Sequence, residues 1–440
     1  MPQAARPPCG FGWLDCEMKT AVFACVLFLA LSVSLLGLSQ EMRSTEELQN
    51  AATLLRDKQF PAAVQAYQKI LKAEPRNEKA SLGLAAAYYG VYNYDQMRRV
   101  LRQTAAAHPG SAAALVELGK LDIHLQHYDD AIVELQRAVR RDRSFAAAHE
   151  QLGVAYQAKG DEQRALTEFN EAIRIAPTAA STHYFRGTLY ADRNDDDRAY
   201  QDAKAAYRLT PNTQTRELLG KTALHANKCE EAVDVLRPLA ELEEPVPEDL
   251  YLLSRACKCA GQTERAQKLQ ADYETQSKKV QDAKTHKMKA DHLATNAGEM
   301  ARNNQLAQVL DLLQQALAED PDNGPSLALM SKIDFSRGDM GKAQDEISRA
   351  LSGDPYNPDY LYVQGKVLES SDPRAALQAF QQVILVNPDE SDAYYEMSQI
   401  YLRLGERTRA LDALRKAVQL SPEDADYKKA LAELKGKTAR

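Results

Sequence analysis

The sequence predicts an all-α solenoid of about eleven helix-turn-helix repeats, set in two arrays joined by one long helix. Three observations carry this expectation. Prolines fall at 75, 109, 177, 211, 321, 355, 388 and 422, with gaps of 34, 68, 34, 110, 34, 33 and 34 residues. A period near 34 marks a two-helix unit that buries its apolar face only by stacking on its neighbours. Numbering that Pro as position 32 starts the repeats at residues 44, 78, 112, 146, 180, 213, 247, 290, 324, 357 and 391. Position 20 is then Ala in nine of the eleven, from Ala63 to Ala410, and position 8 is small in ten, as in Gly119, Gly153, Gly187 and Gly220. Small residues at two facing positions let the helices of a hairpin approach closely.

The elements follow in order. Residues 1–39 read as a leader: Ala21 to Leu38 carry no charge, Lys19 precedes them, and Glu41, Glu46 and Glu47 follow with Arg43 among them. The run fits a cleaved signal peptide or an uncleaved N-terminal anchor, and the two stay open. The charge asymmetry places everything after residue 40 outside the cytoplasm. Met18-Lys19-Thr20 makes a better start than Met1, because Asp15 and Glu17 cancel the basic residues before the apolar run. Residues 44–280 then hold about seven repeats. Position 15 is Gly or Asn in seven of the eleven repeats (Gly160, Asn194, Asn227, Gly261, Asn304, Gly338 and Gly405). These residues tolerate the left-handed conformation that ends a helix, so position 15 is the turn between the two helices. Repeats seven and eight start 43 residues apart, and the stretch 263–302 has no Pro and only Gly298. Ala266, Leu269, Tyr273, Val280, Ala283, Ala290, Ala294 and Ala297 recur in it at threes and fours. It reads as one long helix fusing repeats seven and eight, against the alternative of a break near residues 277–279. Residues 290–422 hold about four more repeats, and 423–440 supply a capping helix, Ala425 to Lys435.

The pattern resembles the tetratricopeptide repeat family, in the form found in exported bacterial proteins, over residues 44–422. Repeat four carries the resemblance best, with Leu152-Gly153, Tyr156, Gly160, Ala165, Phe169, Ala172 and Pro177. Repeat eleven follows with Tyr401, Gly405, Ala410, Ala417 and Pro422. No repeat has the family's Trp at position 4, where His149 and His183 stand in repeats four and five. The resemblance implies a right-handed superhelix whose first helices line a concave groove, with positions 2, 5, 9, 12 and 13 facing a partner. Candidate partner-binding residues are therefore Tyr89, Lys120, Glu150, Gln157, Tyr184, Asp192, Lys221, Phe335, Tyr395 and Arg403. The Lys/Asn/Arg set with which chaperone-binding members clamp a C-terminal carboxylate is missing from every run of three repeats.

Composition narrows the function. The net charge of −7 speaks against a nucleic-acid partner. No Gly-rich phosphate loop, Gly-x-Ser-x-Gly elbow or His-Glu-x-x-His motif occurs, so the expectation is no enzyme, no cofactor and no metal. Cys229, Cys257 and Cys259 are the only thiols after the leader. Outside the cytoplasm Cys229 is placed to pair with one of the other two, Cys257 being favoured, against the alternative of three reduced thiols. The expected function is a non-enzymatic scaffold, periplasmic or secreted, or held to the inner membrane by residues 21–38. It would dock peptide or protein partners. The alternative is a non-catalytic accessory subunit of an envelope polysaccharide synthesis, export or secretion machine.

Overall fold

The computed structural model describes residues 44–303 and 305–436. The leader, with its start and cleavage questions, and Asn304 at the eighth turn lie outside the described residues. The described residues form 22 helices and no strand. They follow as α1 (44–56), α2 (Phe60–Ala73), α3 (Glu78–Gly90), α4 (Tyr94–Ala107), α5 (Ala113–His124), α6 (Tyr128–Arg141), α7 (Ala146–Ala158) and α8 (Glu162–Ile175). Next come α9 (Ala180–Asp192), α10 (Asp196–Leu209), α11 (Thr213–His225), α12 (Cys229–Ala240), α13 (Pro247–Cys259), α14 (Thr263–Arg302) and α15 (Leu306–Glu319). The chain ends with α16 (Gly324–Arg337), α17 (Met340–Gly353), α18 (Pro358–Leu368), α19 (Pro373–Val386), α20 (Ser391–Arg403), α21 (Arg407–Leu420) and α22 (Ala425–Gly436).

Most hairpins of the second body close on a knob and a hole. The small residue at position 8 of the first helix receives the large apolar residue at position 24 of the second. A Cβ on Gly153 would fall 2.6 Å from the Phe169 ring, and one on Gly119 2.4 Å from Leu135. Phe169, Leu135, Leu236, Leu313, Ile347, Phe380 and Leu414 are all fully buried at position 24. The position-20 alanines have no larger side chain to hold the helices apart, and Ala63, Ala131, Ala165, Ala199, Ala232, Ala343, Ala376 and Ala410 are wholly buried. Burial of apolar surface here is spread along the stack, one junction at a time, instead of being gathered in one centre.

The turn at position 15 is left-handed more often than residue type announces. Gly160, Gly261, Gly338 and Gly405 have positive φ, and so do Asn194 and Asn227. Lys58, Tyr92 and Gln126 occupy the same position with φ of 57°, 60° and 61°. A side chain with a Cβ is disfavoured there by roughly 1–2 kcal/mol, so packing of the hairpin imposes the geometry against local preference. The next residue then caps the second helix: the side chains of Asn93, Asp161 and Asp195 accept hydrogen bonds from the backbone N–H of Gln96, Arg164 and Arg198. The Asp195-Asp196-Asp197 run is thus a cap plus two first-turn carboxylates, matched to the positive end of the helix dipole.

The long helix α14 is uninterrupted for 40 residues, or about 60 Å at 1.5 Å per residue. Contacts divide the chain into two compact bodies, one ending at Gly90 and one running from Val91 to Arg440. The division falls between the two helices of the second repeat, and α14 lies inside the second body. None of the described helices is long and apolar enough to cross a membrane.

Candidate functional site

In the second body the first helices of successive repeats pack on one another: α5 on α7, α7 on α9, α9 on α11, α11 on α13, α14 on α16 and α16 on α18. Successive second helices do not pack comparably. The stack is therefore closest along its first-helix side, and that side is the one on which positions 2, 5, 9, 12 and 13 lie.

The predicted residues fare unevenly there. Asp192 and Lys221 stand exposed. Tyr184 is half-buried, its ring edge-on to Phe185 at 5.6 Å and packed against the core of repeats five to seven. Glu150 is engaged from the next repeat, accepting from the hydroxyls of Ser181 and Thr182 at 2.5 Å each. Gln157 is half-buried. Lys120 pairs with Glu117 on its own helix at 2.8 Å. Phe335 is half-buried against the core of repeats nine and ten. Tyr395 stacks on Tyr427 of the last helix, centroids 4.9 Å apart. Arg403 pairs with Glu369 at 2.6 Å, and Lys366 bridges Glu369 and Glu396 at 2.8 and 3.0 Å. Tyr89, 40% exposed, belongs to the first body.

The two histidines at position 4 are structural. His149 Nδ1 meets Glu168 at 2.6 Å and its Nε2 meets the Arg143 carbonyl at 3.2 Å. His183 does the same with Asp202 and the Pro177 carbonyl, both at 3.0 Å. Each ring faces two acceptors, a geometry that the protonated imidazole, with both nitrogens donating, satisfies in full. The hydrogen bond to the carboxylate raises each histidine above its ordinary range, against the opposing effect of burial. Repeat nine has the acid at this place, Glu346, without the base: Leu327 occupies position 4, and Glu346 Oε2 is buried with no hydrogen-bond partner. Burial, with Asp334 and Asp345 nearby, pushes Glu346 up to about 7.

The cysteines correct the expected pairing. Cys229 is joined to Cys259, with Cα atoms 5.4 Å apart, and Cys257 is a free, fully buried thiol. Cys229 opens α12 and Cys259 closes α13, so both stand at one edge of the stack. Cys257, two residues earlier and about 200° round the helix, points into the core of repeats six and seven. Among the described residues no group of three His, Cys, Asp or Glu is placed to hold a metal ion.

Two features escaped the sequence. Asn93, buried at 4% exposure, caps α4 and also donates its Nδ2 to the Leu385 carbonyl at 2.6 Å, near the end of α19. A cleft of about 740 Å³ adjoins this contact, lined by Tyr92, Arg98, Arg99, Arg102 and Pro388 among others. A contact between residues 292 apart in sequence leaves no mark on a 34-residue period. The other is Tyr251, at position 5 of repeat seven. It is 41% exposed and set against Tyr273 of α14 at 5.3 Å. Its place in the register was available, but repeat seven is degenerate in its second helix and gave no partner for it.

Models of the tetratricopeptide repeat match residues 120–180, 300–367 and 367–434. The chain carries tetratricopeptide repeats, packed as helix-turn-helix pairs. No curated protein matches the sequence. Among solved structures, MamA is 26% identical, with 36% of this chain and 93% of MamA covered and a TM-score of 0.31. PilW, described as a widely conserved type IV pilus biogenesis factor, is 18% identical, with 46% and 95% covered and a TM-score of 0.40. A chain of the APC/C hetero-tetramer Cut9–Hcn1 is 12% identical, with 87% and 95% covered and a TM-score of 0.32.

Proposed function

We propose that this protein is a non-enzymatic scaffold that docks protein or peptide partners outside the cytoplasm. The fold is consistent with protein interaction. The observation that carries the reading is the contrast along the first-helix side. In repeat eleven Tyr395 and Arg403 are tied into a stack and an ion pair. In repeats five and six Asp192 and Lys221 stand exposed on that side, where Tyr184 is half-buried. Rigid aromatics flanked by polar groups suit a binding face, because they gain contact area at little cost in side-chain entropy. The charge-free run 21–38 and a disulfide at the edge of the stack support an oxidising compartment.

Photo-crosslinking residues placed at Asp192 and Lys221 of the full chain, in its native cells, test the docking face. Reproducible adducts with one or a few proteins are expected, and absence of adducts at both positions would count against it. N-terminal sequencing of the captured chain reads the leader directly. Alkylation without reductant, after denaturation, should modify Cys257 and leave Cys229 and Cys259 unmodified. Modification of all three would remove both the disulfide and its support for an exported protein.

A further inference from the structure

At the other junctions of the stack, the first helix of the following repeat covers the open side of the hairpin before it. Repeat seven lacks that cover. Its second helix runs on as α14, so the chain that would fold back as the next first helix continues straight ahead. The consequences are visible at two positions. Position 27 is buried in the other ten repeats, as Ala138, Ala172, Ala206, Leu239, Ala316, Val383 and Ala417 illustrate, but Tyr273 is half-exposed. Position 24 is a buried residue in the other ten and half-exposed Gln270 here. With no large knob opposite Ser254, a slot of about 490 Å³ stays open between α13 and α14, lined by Ser254, Lys258, Ala266, Gln267, Gln270 and Glu274.

The bare surface continues along α14. Leu269, Tyr273, Gln276, Val280, Ala283 and Lys287 fall within about 80° of one another around the helix. Lys289, on the far side, and His286, about 100° round from Lys287, hold Glu319 of α15. Val280, Ala283 and Lys287 of the stripe are exposed. Residues 278–289 are all exposed, and they carry Lys278, Lys279, Lys284, Lys287 and Lys289 against the single acid Asp282. Val280 is 56% exposed and Met288 63%. This is a basic stretch of helix in a chain of net charge −7, with Lys284 and Lys287 on or beside the stripe. Like charge opposes pairing with the same helix of a second copy. The absence of Trp, Phe and Leu from 276–292 denies the stripe the bulky apolar side chains that seat a helix in a bilayer.

We propose that this surface docks an acidic amphipathic α-helix of a partner protein, which stacks on repeat seven in the place of the missing first helix. The helix would set an apolar side chain in the slot between Ser254 and Gln270, lie against Tyr251 and Tyr273, and run its carboxylates past Lys284 and Lys287. A helix is the occupant because the same hairpin surface receives a helix at the neighbouring junctions, and an acidic one because of the lysines. The proposal rests on the scaffold reading but concerns a different face.

The test uses the full chain and two probes. A synthetic helix with Leu along one face and Glu on the other should bind, while an isomer with Lys for Glu should not. The Lys284→Glu/Lys287→Glu double variant, altered only at exposed positions, should weaken binding at least tenfold. Gln270→Leu, which fills the slot from within, should weaken it severalfold while leaving the helical circular dichroism intact. Equal binding of the two peptides, or no effect of the double variant, would overturn the proposal. In cells, a photo-crosslinker at Val280 should join a segment whose mapped peptide is acidic and amphipathic. Adducts only with a second copy, adducts with a basic segment, or none at all would overturn it. Adducts at Lys221 but not at Val280 would defeat this inference alone, whereas none at Asp192 or Lys221 would count against the scaffold reading instead.

Discussion

Repeat four and repeat seven occupy equivalent places in one stack and are built to opposite ends. In repeat four Phe169 fills the hole over Gly153, and His149 is hydrogen-bonded to Glu168 at the rim. In repeat seven Gln270 leaves the hole over Ser254 open, and the rim is an exposed tyrosine pair. The difference teaches that a repeat is stabilised by what covers it. Most covered hairpins carry a large apolar knob, repeat five with Ala203 being the exception. The hairpin from which the chain departs has the polar Gln270 there, half-buried, because no following helix covers it.

The largest effect expected from this comparison is at Phe169. Phe169→Ala empties a fully buried site, and such truncations cost about 3–5 kcal/mol. Urea unfolding should show the loss, and hydrogen exchange should place it in repeats four and five. A loss below about 1 kcal/mol would mean that the knob is not what holds the hairpin. Gly153→Val attacks the same contact from the other side. The added Cβ meets the Phe169 ring at 2.6 Å, and overpacking costs about 1–3 kcal/mol. The two changes share one contact, so the double variant should be less destabilised than their sum. Gln270→Leu runs the comparison in reverse. It gives repeat seven a knob, and added apolar burial should raise stability by about 1 kcal/mol. No gain would show that the slot cannot close on a side chain.

A pH series sharpens the contrast at the rim with a smaller effect. His149 and His183 are raised by their carboxylate partners, so their stabilisation is complete below the ordinary histidine range and is lost as pH rises through the raised values. Glu346 is raised from about 4.5 to about 7, so folding holds its proton and stability falls as pH climbs between those values. Both act in the same direction. The urea midpoint should decline from pH 5 to pH 8. Glu346→Gln should flatten the lower part of that decline and His149→Gln the upper part. A midpoint that rises over this range would reverse the assignment of charge.

Much of the fold was legible because the repeat is a local device. Predicted starts at residues 78, 146, 180, 213, 247, 324 and 391 coincide with the first residues of α3, α7, α9, α11, α13, α16 and α20. Alanine at position 20 and a small residue at position 8 act within one hairpin, and their spacing survives in sequence. The candidate binding residues were less legible. Position in the register says which side of the stack a residue lies on, but not whether a neighbour from the next repeat engages it, as Glu369 engages Arg403 and Tyr427 engages Tyr395.

The sequence by itself determined the helices, their period, the turns that carry Gly or Asn, and the 40-residue helix where the period breaks. All of these follow from contacts within about thirty residues, which periodicity records. Only the tertiary structure decided that Cys259 and not Cys257 meets Cys229, since two residues along a helix reverse the direction in which a side chain points. It also decided that Lys58, Tyr92 and Gln126 accept a left-handed turn, because the packing of two helices outweighs the preference of one residue. And it decided that repeat seven stays open, because what covers a hairpin is supplied by the direction the chain takes next.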